Sequence, residues 1–86
     1  MAKKLFSPKV FFNASVILAG LRSPTGGSAK LLNWAKTGHI TGIISEIIVD
    51  EVTRRSPKLG IKPDLAQKHI RTIFTIKPIP PEKLLA

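Results

Sequence analysis

Few side chains in this sequence are able to perform catalysis or to hold a metal. Its 86 residues include five acids, two histidines and no cysteine. The absence of cysteine excludes thiolate metal sites and a disulfide framework. His39 and His69 have no partner at a metal-ligand spacing, so we interpret both as surface or packing residues. Any metal site therefore depends on carboxylate, amide and hydroxyl oxygens.

Asn13 and Ser15 lie where a short apolar run ends and a helical pattern begins. Residues 10–12 (Val10, Phe11 and Phe12) favour a β-strand, and residues 14–21 favour a helix. In open α/β sheets the residue at the carboxyl end of a strand points into the crevice where ligands bind. Asn13 and Ser15 are therefore candidate site residues.

Glu51 is the carboxylate that draws most interest. It lies in a helix predicted for residues 46–55, at the border of the apolar face, so its side chain can lean toward the end of the first strand. The alternative is that Glu51 and Arg55 form an ordinary surface pair four residues apart. Such pairs contribute only about 0.3–0.5 kcal/mol, and spacing by itself favours this alternative.

The elements that must position these residues follow from hydrophobic patterning and turn chemistry. Helices are predicted at 14–21, 28–36, 46–55 and 64–74, and strands at 10–12, 40–45 and 75–77. Gly38 is placed for a left-handed helix cap, and Ser45 for an N-cap. Asp64 and Gln67 have the spacing of a capping box. These elements predict one domain, 1–86, with a three-layer α/β/α architecture and a parallel sheet of two to three strands.

Apolar residues on the helices and the aromatic residues are expected to form the core. The third helix is predicted to bury Ile47, Ile48 and Val52. Trp34 and the four phenylalanines are interpreted as core residues, because they form no row suited to base stacking.

A strongly positive charge suggests an anionic partner. Fourteen Lys and Arg residues against five acids give a net charge of +9, which favours nucleic acid, an anionic surface or an acidic protein. Arg54, Arg55 and Lys58 form the densest basic cluster and suit phosphate positioning in RNA. The alternative is a solvated helix end, where basic residues complement the helix dipole.

The N-terminus resembles a signal peptide only in part. Lysines precede an apolar stretch, but Pro8 interrupts its flank and Asn13 lies inside it. The stretch is also shorter than the about 20 apolar residues that cross a bilayer. We therefore predict a cytoplasmic protein that does not insert into a membrane.

Two segments of the chain resemble the N-terminal half of a PIN domain, the fold of VapC-type toxin ribonucleases: FFNASVILAGLRSPTGGSAKLL and ITGIISEIIVDEV. In that family the first strand ends in an Asp, and a Glu on the helix after the second strand is the second acid. Two more acids come from the C-terminal half, and the cluster holds Mg²⁺ or Mn²⁺ for RNA hydrolysis. The resemblance implies that Asn13 and Glu51 occupy catalytic positions and that Asn13, Ser15 and Glu51 are the metal-site residues.

The chain departs from the family pattern in two ways. Asn13 is an amide where the family has a carboxylate, so it brings no negative charge to hold the metal. The chain also corresponds to an incomplete PIN-like domain, without the fourth strand and the last two acids. We therefore expect a catalytically impaired enzyme that does not cleave RNA.

Loss of the fourth strand also predicts self-association. In the family sheet the first strand lies between the second and the fourth, so here Val10 to Phe12 would form an exposed apolar edge that invites pairing with another chain. This leaves two interpretations of function. One is an impaired toxin-type ribonuclease, and the other is a non-catalytic module that self-associates or binds RNA or an acidic, antitoxin-like protein.

Overall fold

The computed structural model describes residues 7–78, which form four helices, three short strands and one 3-10 turn. In chain order these elements are β1 Lys9–Phe11, α1 Ala14–Arg22, α2 Gly27–Thr37, β2 Thr41–Ser45, α3 Glu46–Arg55, the 3-10 turn Ser56–Leu59, α4 Pro63–Ile73 and β3 Thr75–Lys77. The predicted fold class is confirmed: the protein is a mixed α/β chain with four helices and a parallel sheet, compatible with a small three-layer α/β/α fold.

The sheet has the strand order β1-β2-β3, and both pairings are parallel. Val10 is in register with Gly42, and Ile44 with Ile76. Because the strands run parallel, α1 and α3 both start at the same edge of the sheet, directly after β1 and β2. Within residues 7–78, β1 pairs only with β2 and lies at the edge of the sheet.

The main core lies where the helices pack on one face of β2. A Cβ built on Gly42 would lie 2.5 Å from Cδ1 of Phe74 and 3.3 Å from Cβ of Ala35, so this face of the strand meets the helical layer closely. The Phe74 ring also packs edge-on against Phe12, with 4.9 Å between ring centroids. Phe12 is buried, as its assignment to the core predicts, although the resemblance to a PIN domain without its fourth strand implied that it lies on an exposed edge. The backbone continues the β1 ladder at Phe12, whose N–H donates to the Ile43 carbonyl, and the alternation of the strand turns its ring inward.

Two of the three predicted helix caps, those at Gly38 and Ser45, are confirmed. Gly38 ends α2 in the left-handed region with φ of 89°, and the Ser45 hydroxyl accepts a hydrogen bond from the Ile48 N–H at 3.4 Å. The predicted capping box at Asp64 and Gln67 is wrong, because no side chain caps the start of α4. Helix α4 starts one residue earlier, at Pro63, whose fixed φ suits a first helical position. Asp64 thus lies inside the first turn and complements the helix dipole there.

Several residues assigned to the core are exposed instead. Ile47 is 55% exposed, and the buried positions of α3 are Val49 and Val52. Ile47 lies about 200° around the helix from Val49, so both cannot face the core. Trp34 (38%) and Phe11 (77%) are also exposed. The fourth predicted core phenylalanine, Phe6, lies outside the described residues.

None of the helices within residues 7–78 is long and apolar enough to cross a membrane.

Candidate nucleic-acid interface

Asn13, the residue expected at the first catalytic position, acts as the N-cap of α1. Its side chain is exposed, and Oδ1 accepts a hydrogen bond from the Val16 N–H at 2.9 Å. Ser45 has the same role at the end of the neighbouring strand, where it caps α3. The strand ends therefore place polar residues at one edge of the sheet, as the sequence predicts. The Asn13 amide oxygen, however, already accepts a hydrogen bond from the first turn of α1.

Glu51 forms the local ion pair that spacing favoured. Its Oε2 accepts from Nη1 of Arg55 at 3.0 Å, and both side chains are partly exposed. Asp50 and Arg54 make the equivalent pair, also at 3.0 Å. Within the described residues, no hydrogen bond joins Glu51 to Asn13 or Ser15.

Within residues 7–78, the oxygen donors are a poor fit for Mg²⁺ or Mn²⁺. Three of the four carboxylates between residues 7 and 78 are paired with arginines, those of Glu46, Asp50 and Glu51. The same part of the chain contains no group of three or more His, Asp or Glu side chains close enough to hold a metal. A hard divalent cation needs several oxygen ligands, and usually carboxylates among them. The metal assignment of Asn13, Ser15 and Glu51 stays a prediction, and no step below depends on it.

The structure instead brings Ser15 together with two of the predicted RNA-binding residues. A groove of about 410 Å³ lies between α1 on one side and the end of α3 with the 3-10 turn on the other. Ser15 and Arg22 line one side, Arg55 and Lys58 line the other, and Leu18, Ala19 and Leu59 form its apolar part. We call this the basic groove.

Helical spacing puts the α1 side chains of the basic groove on one face. Ser15, Leu18, Ala19 and Arg22 are separated by three, four and seven residues, which is the repeat of a helix face. The sequence singled out Ser15 but missed Arg22. Its signal was available in the spacing, because Arg22 lies seven residues, about two helical turns, after Ser15; the predicted helix, however, ended one residue too early, at 21.

The 3-10 turn determines where Lys58 and Leu59 lie. Ser56 is fully buried, and its hydroxyl donates to the Thr53 carbonyl at 3.0 Å. Gly60 ends the turn with φ of 78°, a conformation that glycine adopts readily, and its N–H donates to the Pro57 carbonyl. The backbone stays helical from Arg55 through Ser56 into the turn. The turn contacts α1, so Lys58 and Leu59 lie on the α1 side.

The basic groove is rich in positive charge that is available to a ligand. Within residues 7–78, neither Arg22 nor Lys58 forms an ion pair, and Glu51 offsets the charge of Arg55 only. Guanidinium and ammonium groups donate several hydrogen bonds to phosphate oxygens, and the Ser15 hydroxyl adds a further donor. The arrangement therefore suits a phosphate group.

Arg54, the third residue of the predicted basic cluster, is not part of the basic groove. It is highly exposed and its Nε donates to Asp50. Arg54 and Arg55 are neighbours on a helix and point about 100° apart, so only Arg55 faces the groove.

Comparison of this chain with family models, with curated proteins and with solved structures found no match. The resemblance to the PIN family therefore stays a prediction from the two sequence segments. The chemistry of the basic groove rests on the chain's own residues.

Proposed function

We propose that this chain binds the phosphate backbone of RNA through the basic groove, as a catalytically impaired relative of PIN-type ribonucleases. The observation that carries the proposal is the convergence of Arg22, Arg55 and Lys58 on one groove beside Ser15. The net charge of +9 adds a long-range attraction for a polyanion. We place this activity in the cytoplasm, where RNA is abundant.

The residues of the basic groove favour backbone binding over sequence recognition. No aromatic side chain lines the groove, so bases have no stacking platform there. Arg22 and Lys58 are exposed cations on long stems, which suit phosphate contacts. We therefore expect binding that depends strongly on salt and little on sequence.

Binding in the basic groove requires no metal, and this separates the proposal from ribonuclease activity. The resemblance assigns Asn13 and Glu51 to catalysis, but the first caps α1 and the second pairs with Arg55. A carboxylate held by an arginine and a neutral amide give little charge to attract a divalent cation. We thus expect binding in EDTA and no metal-dependent cleavage.

The test is the salt dependence of RNA binding by the Arg22→Ala/Lys58→Ala variant. Fluorescence anisotropy with a labelled single-stranded RNA of about 12 nucleotides, a length within known site sizes, measures Kd from low to moderate salt in EDTA. The slope of log K against log salt is negative, and each lost phosphate contact reduces its magnitude by about 0.7. For the double variant, the magnitude of this slope should therefore be smaller by about 1.4 than for the unmodified chain. The matched control Arg54→Ala/Lys77→Ala removes the same charge outside the groove and should keep most of the slope.

Two results would contradict the proposal. Equal losses in the double variant and in its control would show that only net charge matters. Mn²⁺-dependent cleavage by the unmodified chain, abolished by Glu51→Ala, would establish the ribonuclease instead.

Self-association through β1 is a second candidate function, favoured by the position of that strand. It lies at the edge of the described sheet and carries Phe11 with 77% of its surface exposed. An edge strand offers unpaired backbone groups to another chain. Because Phe12 is buried, the apolar contribution to this interface comes from Phe11.

A further inference from the structure

A second surface of the protein lies between α2 and α4, on residues that the basic groove does not use. Two adjoining clefts of about 520 and 620 Å³ share four lining residues: Leu21, Lys36, His69 and Ile73. Helix α2 packs mainly on α1, and α4 packs mainly on α3. The space between the two helix pairs is therefore left partly open. We call this surface the α2–α4 groove.

The floor of the α2–α4 groove is apolar and accessible. Leu65 projects from α4 with 59% of its surface exposed. Leu21, Ile61 and Ile73 are half-buried beside it. An exposed leucine next to half-buried aliphatic residues is a surface that gains free energy when another apolar side chain covers it.

The rim of the α2–α4 groove is positive. Lys36 and Lys68 line the first cleft, and Lys30 and Lys36 line the second. No acid is among the residues that line either cleft. The three lysines also form no ion pair within residues 7–78. An apolar floor between lysines is complementary to an apolar stripe flanked by carboxylates.

We propose that the α2–α4 groove binds an amphipathic helix of a protein partner, with leucine or isoleucine on one face and Asp or Glu on both flanks. Helices α2 and α4 each have 11 residues, which is about 16 Å at 1.5 Å per residue. A partner helix of similar length, about three turns, covers the groove. A helix lying in an apolar groove is a common mode of peptide recognition.

The same observations disfavour nucleic acid as the occupant. RNA presents phosphates and bases, and the lining residues include no Phe, Tyr or Trp for a base to stack on; the only aromatic ring among them is the His69 imidazole. Leu65 and its aliphatic neighbours gain nothing from a phosphate backbone, whereas an apolar helix face covers them. Charge and hydrophobicity together therefore select an acidic peptide.

The test uses a labelled synthetic peptide of about 15 residues with Leu at a helical repeat and Glu on the flanking positions. Anisotropy should show saturable binding to the full chain and weaker binding as salt rises. The Lys36→Glu/Lys68→Glu variant should bind at least about tenfold more weakly, because both rim charges now repel the peptide. Lys62→Glu/Lys77→Glu makes the same charge change outside the groove and should bind nearly as the unmodified chain does.

A second pair of variants tests the apolar floor. Leu65→Ser should weaken peptide binding by about tenfold. Ile47→Ser removes a similarly exposed residue of α3 that lines neither cleft and should leave binding unchanged. Circular dichroism should show a folded chain for both, since exposed side chains contribute little to stability.

Four results would overturn the proposal. The first two are that the acidic peptide does not bind, or that a peptide in which every Glu is replaced by Lys binds equally well. The third is that the rim variant and the Leu65→Ser variant bind the peptide as their controls do. The fourth is that Lys36→Glu/Lys68→Glu loses RNA binding and keeps peptide binding. The Arg22→Ala/Lys58→Ala variant separates this proposal from the RNA proposal, because it should bind the peptide as the unmodified chain does.

Discussion

Asn13 is the residue for which the sequence and the structure assign different roles, so its substitution is the most informative experiment. The backbone there is extended, with φ of −101° and ψ of 169°, a conformation that alanine and aspartate also adopt. Asn13→Ala and Asn13→Asp therefore change the cap and the charge while leaving the chain path intact. The capping role predicts that the two variants change stability in opposite directions.

The magnitude follows from the hydrogen bond between Asn13 Oδ1 and the Val16 N–H. At 2.9 Å it has good geometry, so its loss in Asn13→Ala should cost about 1 kcal/mol. For a chain of this size that corresponds to a fall in Tm of about 4–8 °C. Aspartate caps as well as asparagine, and its negative charge at a helix N-terminus adds about 0.3–1 kcal/mol. Asn13→Asp should thus be as stable as the unmodified chain or slightly more stable.

Thermal and urea unfolding followed by circular dichroism measure both changes. Asn33→Ala is a matched control, because Asn33 is an exposed asparagine inside α2 with no capping role. It should not lower the Tm. The gain in stability of Asn13→Asp should disappear as the pH falls through the pKa of the new carboxyl group, because only its charged form interacts with the helix dipole.

An RNA cleavage assay with Mn²⁺ completes the Asn13 experiment. We expect no cleavage by Asn13→Asp, because Glu51 remains paired with Arg55 and the described residues supply no third carboxylate nearby. An unchanged Tm in Asn13→Ala would refute the capping role. Mn²⁺-dependent cleavage by Asn13→Asp that Glu51→Ala removes would refute our view of the site.

Two further predictions concern the core and the sheet edge. Gly42→Ala places a methyl group 2.5 Å from the Phe74 ring. This overpacking should lower the free energy of unfolding by about 1–3 kcal/mol, measured by urea unfolding. Gly27→Ala is the control, because a Cβ there meets nothing within 4 Å. It should not lower the free energy of unfolding. Phe11→Ser should shift the chain toward monomer in analytical ultracentrifugation at micromolar concentration with little change in Tm, because Phe11 is exposed. A monomeric unmodified chain would remove the case for self-association through β1.

Local signals were enough to predict most of the elements. Helix α3 has the predicted bounds, and Ser45 caps its start. Its end has a different cause from the predicted one, because Ser56, the residue before Pro57, keeps helical backbone angles and the chain passes there into a 3-10 turn. Strand β3 also has the predicted bounds. The start of α4 was missed, because Pro63 and Asp64 are both typical of a helix N-terminus and only the backbone shows which residue comes first.

Burial was harder to predict than the elements. Ile47, Ile48, Val49 and Val52 are all apolar, so the sequence of α3 permits more than one buried face. The choice depends on the position of α3 relative to α1 and α4, which no local pattern contains. Packing buries Val49 and Val52 and leaves Ile47 exposed.

The sequence by itself determined the α/β class, the parallel sheet, the polar strand ends and a strong positive charge, because these depend on composition and short-range spacing. Only the tertiary structure decided which of the charged residues act together. Arg22 lies 36 positions before Lys58 in the chain, and they share a groove because the 3-10 turn after α3 packs against α1. Glu51 and Asn13, which the sequence grouped, are each taken by a partner three or four residues away. A local hydrogen bond costs little chain entropy to form, so these side chains find near neighbours before distant ones.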